Sequence, residues 1–242
     1  MRAGEQAVRN SAINFARYVV VGATSVVVSI ALARFLTPAN LGVYSYFNWL
    51  AAMGCMLATL GLPAACEKYT AECLGSGAHT VAAELLRALL RMMGVLTVVA
   101  AVAITAFVIV LHLFSGILAG LLALTVLTFS ANIGLAAVLG GSQNYRDLAA
   151  INGSGAVVQA VLLSMAAVRG ASVTALLAVN LLVGIAVMLL LARKVRPLWA
   201  SKLSTEAASD MIRRLRRFAV PASFIALLDF LVWDKSEILF LK

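Results

Sequence analysis

Apolar residues fall along this chain in long blocks that are apolar on nearly every side, with neither the alternation of a half-buried strand nor the single stripe of a soluble helix. The blocks are residues 16–36, 42–65, 89–113, 116–139, 148–168 and 172–191. A helix rises about 1.5 Å per residue, so a hydrocarbon core of roughly 30 Å needs about 20 mainly apolar residues, and each block meets that length. Transmembrane barrel strands are short and alternate apolar with polar positions, which these blocks do not. The pattern therefore predicts an all-α, polytopic transmembrane helix bundle. A seventh apolar run follows residue 218, carries Asp229, Asp234, Lys235 and Glu237, and reads as the start of a further helix.

Composition supports this picture. With 63% hydrophobic and only 12% charged residues, the 242-residue chain has too little polar surface to cover a soluble globule. Residues 1–14 are polar and basic, and the apolar run that follows is too long for the core of a cleaved signal peptide. The first block reads as a retained span.

The net charge of +9 is distributed for membrane orientation, not for nucleic acid. A cytoplasmic N-terminus gathers every basic residue on that side except Arg34, Arg169, and the Lys235 and Lys242 of the seventh segment. Arg17, beside the start of the first block, is counted with the cytoplasmic charges. The positive-inside rule then places an even number of crossings before the basic stretch 194–217. That stretch divides the chain into a six-helix lobe, 1–193, a basic cytoplasmic linker, 194–217, and the start of a second lobe, 218–242. At the end of the linker Ile212, Leu215 and Phe218 share one helical face and arginines occupy the others. This reads as an amphipathic helix on anionic membrane lipids or as a solvated connector. The shorter polar stretch 67–87 is read as a similar loop, in which Glu84 and Arg87 have the spacing of a helix-surface pair.

Cys55, Cys66 and Cys73 form no CxxC pair and have only His79 and His112 for company, so neither a metal site nor a cofactor is expected. No arrangement of catalytic groups is evident either. The outer turns 37–41, 112–115 and 169–171 are too short and too poor in carboxylates to carry a glycosyltransferase or ligase.

Function is expected among the polar residues inside the spans, which lipid cannot satisfy. Asn48, Cys55 and Thr59 share a face with Tyr44. Thr125, Thr128, Asn132, Ala136 and Gln143 form a stripe in the fourth span, Asn152, Gly155 and Gln159 in the fifth, and Asn180 and Gly184 in the sixth. Each amide is a candidate substrate contact or interhelical glue. The third span, with little beyond Thr97 and Thr105, is expected to face lipid. Arg34, about 26 Å along the helix from Arg17, either snorkels at the outer boundary or turns inward to attract an anion. Asp234, Lys235 and Glu237 are expected to form a structural ion pair or a site for substrate or a coupling ion.

Two segments resemble a known family. Leu32-Ala33-Arg34-Phe35-Leu36-Thr37-Pro38, Leu41-Gly42-Val43-Tyr44-Ser45, Leu60-Gly61-Leu62 and Glu67-Lys68-Tyr69-Thr70-Ala71-Glu72 resemble the first hairpin of the polysaccharide-export flippases. These belong to the multidrug/oligosaccharidyl-lipid/polysaccharide exporter superfamily. Trp233-Asp234-Lys235-Ser236-Glu237-Ile238-Leu239-Phe240-Leu241 is similar to that family's seventh span. The resemblance implies two six-helix lobes that rock about a central cavity in the bacterial cytoplasmic membrane. Their cargo would be a lipid-linked sugar, carried from the inner to the outer leaflet, with cationic residues on its pyrophosphate. Arg34, Asn48, Asn132, Gln143, Asn152, Gln159, Asp234, Lys235 and Glu237 are the candidate substrate-binding residues. The chain is then an N-terminal portion, expected to insert but not to transport alone. A cation-coupled multidrug exporter of the same superfamily is the alternative, disfavoured because the six spans hold no central carboxylate.

Overall fold

The computed structural model describes residues 3–199 and, beyond them, Pro221, Ser223, Phe224, Ile225 and Leu228. The expected amphipathic helix of the linker, and Asp229, Asp234, Lys235 and Glu237, lie outside the described residues. Among the described residues there is no strand, and the fold is all-α. The helices are α1 (Ala3–Phe35), α2 (Pro38–Thr59), α3 (Leu62–Gly75), α4 (His79–Val110), α5 (Gly116–Gly141), α6 (Tyr145–Val168) and α7 (Val173–Val195), followed by a short 3₁₀ turn, Arg196–Trp199. Five of them, α1 and α4 to α7, are long and apolar enough to cross a bilayer, and α2 with α3 makes a sixth span when taken together. These helices fit a multi-pass membrane protein.

Short, capped turns make successive spans antiparallel. Thr37 caps α2 by accepting from the Asn40 amide at 3.4 Å, with Pro38 filling the first helical position, where its missing N–H costs nothing. Asn144 and Ser172 cap α6 and α7 in the same way. The start of α1, the α3–α4 and α5–α6 turns and the end of α7 thus share one end of the bundle, called the N-terminal end below.

α5 is the central helix. It packs against α2, α3, α4 and α7, and Leu122, Val126, Val138 and Leu139 are fully or almost fully buried along it. Glycines let its neighbours approach closely. A Cβ at Gly141 would meet the Thr70 side chain at 2.8 Å and the Glu67 carbonyl oxygen at 3.0 Å, so α3 lies directly on the α5 backbone. α1, by contrast, packs mainly along α6 and leaves Val19, Val26, Val27 and Ile30 exposed. Such a face suits the apolar interior of a bilayer.

Three expectations change. The second apolar block is not one straight helix. It breaks at Leu60 (φ 39°) and Gly61 (φ 68°), and α2 and α3 meet at 45°. Two consecutive left-handed residues end α2, and Pro63 in the first turn of α3 needs no amide partner. The Ser223 hydroxyl donates to the Leu60 carbonyl that the break sets free. The polar stretch 67–87 is helical on both sides of a three-residue turn, Ser76 to Ala78. Its apolar residues, with Leu62, Cys66, Tyr69, Leu85, Leu86 and Leu89 all buried, build a core with Val138 and Val195. Finally, α4 faces lipid on one side only: Val95, Val98, Val99 and Val102 are exposed, whereas Ala101, Ile104 and Val108 pack against α2 and α5.

Candidate functional site: a polar cavity between α1, α5, α6 and α7

α1 approaches α6 closely, with Val20 3.9 Å from where a Cβ on Gly153 would lie, but it stands away from α5 and α7. The space so left is a cavity of about 400 Å³, within the roughly 300–1,000 Å³ usual for small-molecule sites. Its polar lining is Arg17 and Tyr18 from α1, Asn132 from α5, Asn152 and Gln159 from α6, and Asn180 from α7. No carboxylate is among the residues that line it. Counting 1.5 Å per residue, Arg17 and Asn152 lie about 27 Å and about 24 Å from the opposite ends of their helices, while Gln159 and Asn180 lie only about 14 Å and about 10 Å from that far side. The cavity therefore runs from the N-terminal boundary of the membrane to slightly past its middle.

Close helix packing shapes the inner wall. A Cβ on Gly155 would fall 2.5 Å from Val187 Cγ2, and one on Gly184 would fall 2.7 Å from Phe129 Cε1. The absence of side chains there brings α6 and α5 onto α7. Asn132 Nδ2 donates to the Gly184 carbonyl at 3.0 Å and ties α5 to α7. A chain of amides crosses three helices at the deep end: Gln159 Nε2 donates to Asn180 Oδ1, Asn180 Nδ2 donates to Asn48 Oδ1 at 3.4 Å, and Asn48 Nδ2 donates to the Tyr44 carbonyl at 2.8 Å.

These bonds do not satisfy every polar atom. Asn132 Oδ1 and Arg17 Nε are buried without a hydrogen-bond partner. An acceptor and a cationic donor left unmet beside one cavity cost more than they return unless a ligand or water answers them. The Arg17 guanidinium stacks over the Tyr18 ring at 4.5 Å from its centroid, and Glu67 and Tyr145 lie within electrostatic reach of it.

Of the nine candidate residues, the structure brings Asn132, Asn152 and Gln159 to this cavity and holds Asn48 one hydrogen bond behind it. Gln143 does not join them. α5 stops at Gly141, and Gln143 adopts a left-handed conformation (φ 57°) in the α5–α6 turn with its side chain exposed. Arg34 is exposed at the opposite end of α1, 6.0 Å from the Phe35 ring centroid, so the structure does not bring it to the cavity either. Asp234, Lys235 and Glu237 lie outside the described residues.

Sequence reasoning passed over Arg17, which it counted only as a topology charge. The signal was present, because Arg17 falls inside the first apolar block, 16–36, and an ionisable residue within a span is a functional candidate by default. Asn180 was noted in its stripe but not singled out, although it is the amide that joins α6 to α2. Compared with protein-family models, with curated proteins and with solved structures, the chain matches none of them.

Proposed function

We propose that the protein is a membrane transporter that moves a lipid-linked oligosaccharide or polysaccharide precursor across the bacterial cytoplasmic membrane by alternating access. One observation carries the reading: a single arginine and four amides line a cavity without carboxylates that reaches from one boundary of the membrane to its middle. An anion 4 Å from the Arg17 guanidinium is attracted by about 4 kcal/mol at an effective dielectric constant near 20, which offsets the loss of its water and the repulsion of nearby Glu67 and favours a phosphate among possible ligands. Amides donate and accept equally well, which suits the hydroxyls of a sugar. Arg17 sits at the end of the cavity nearest the N-terminal end of the bundle, and the positive-inside rule assigns that end to the cytoplasm, where such a precursor is made. The resemblance of the first hairpin and the seventh segment to polysaccharide-export flippases supports the same class. A cationic drug has no counter-charge among the lining residues, so the multidrug reading finds less support.

The test replaces Arg17 and Arg34 by leucine, separately, in the full-length protein expressed in a strain whose own copy is deleted. At equal expression, Arg17→Leu is expected to lower surface polysaccharide at least tenfold, with lipid-linked sugar accumulating on the inner leaflet. Arg34→Leu is expected to keep most of the activity. Equal export by the two variants would sink the assignment of anion binding to this cavity.

A further inference from the structure

On the far side of α5 lies a second space of about 400 Å³, between α4, α5 and α7. Leu90, Gly94 and Val98 form one wall, Leu127 and Ala131 the floor, and Met188 the other wall, so its lining is overwhelmingly apolar. Val98 is exposed beside it, which turns the groove toward the membrane and away from the polar cavity. Ser130, only 1% exposed, contributes to the lining. The groove also has a charged end. Arg91 lies one turn before Gly94 on the same face of α4, about 28 Å from Val110, and so near the membrane boundary. Arg196 continues the α7 face of Met188 and Ala192 into the 3₁₀ turn, which packs against α4. Both arginines are exposed.

We propose that this groove holds one acyl chain of an anionic phospholipid whose phosphate sits against Arg91 and Arg196. The chemistry selects this occupant. An apolar slot inside the bilayer is filled by hydrocarbon, and two cations at its boundary select a negative headgroup. The site is independent of the transport reading, because it shares no lining residue with the polar cavity.

Native mass spectrometry of the full chain, purified in mild detergent and supplied with phosphatidylglycerol or phosphatidylcholine, tests the proposal. One phosphatidylglycerol is expected to remain bound per protein, at least fivefold more than phosphatidylcholine. Gly94→Leu directs a side chain into the groove from a position where a Cβ meets nothing within 4 Å, and is expected to lower retention at least threefold. Gly120→Leu, at an equally open position on α5 outside the groove, controls for nonspecific effects and is expected to retain the lipid. Joint replacement, Arg91→Ala with Arg196→Ala, is expected to erase the preference for phosphatidylglycerol. Unchanged retention in Gly94→Leu, equal loss in Gly120→Leu, or an undiminished preference without the two arginines would each overturn the site.

Discussion

Replacing Asn180 by alanine removes the middle of the amide chain that joins α6, α7 and α2. Asn180 is 4% exposed, so in the native protein its side chain is held by these partners and not by bulk water. Two bonds are lost, one from Gln159 and one, at 3.4 Å and correspondingly weak, to Asn48. Side-chain hydrogen bonds inside membrane proteins average about 0.6 kcal/mol and reach about 1.7 kcal/mol, and the alanine leaves a small void as well. Asn180→Ala is therefore expected to cost about 1–2.5 kcal/mol, and Gln159→Ala about 0.5–1.5 kcal/mol, since it breaks one of the same bonds. A double-mutant cycle on the pair should return a coupling of about 0.6–1.7 kcal/mol. Reversible unfolding of the full chain in mixed micelles with increasing denaturing detergent measures all three. A cost below about 0.3 kcal/mol for Asn180→Ala, or a coupling near zero, would show that the amides do not bind the helices together and refute the chain as a structural tie.

Packing and topology give two further expectations. Gly184→Ala, whose Cβ would fall 2.7 Å from Phe129, should cost about 1–3 kcal/mol in the same assay, whereas Gly120→Ala meets nothing and should be neutral or slightly stabilising. If the two glycines respond alike, close approach of α5 to α7 is not what selects Gly184. Single cysteines at Thr37 and Ser76, both exposed in turns at opposite ends of the bundle, should label differently in intact cells. A membrane-impermeant thiol reagent is expected to reach position 37 and not position 76, and the reverse pattern would invert the orientation and place the polar cavity on the outer side.

The helical class and the long apolar helices were legible in the chain, because a bilayer demands about 20 apolar residues in a row and leaves backbone groups no partners but their own. Charge asymmetry, a property of sequence order, gives an expectation for the side of each turn, which the labelling experiment tests. Local rules also exposed the amides, which stand out against an apolar background, and four of them do line one cavity. Sequence periodicity could not show that Gln143 falls beyond the end of α5, because a left-handed turn residue and a helical one look alike in a polar stretch. It could not show that residues 67–87 form packed helix, since their apolar positions gain a core only once α3, α4, α5 and α7 meet. Most of all, it left the choice between Arg17 and Arg34 open. Both are arginines near the ends of one helix, and only the packing of α1 along α6, away from α5 and α7, sets Arg17 at the cavity and leaves Arg34 exposed at the other end. Burial of a charge depends on which neighbours surround it, and that is decided by how the helices assemble in three dimensions.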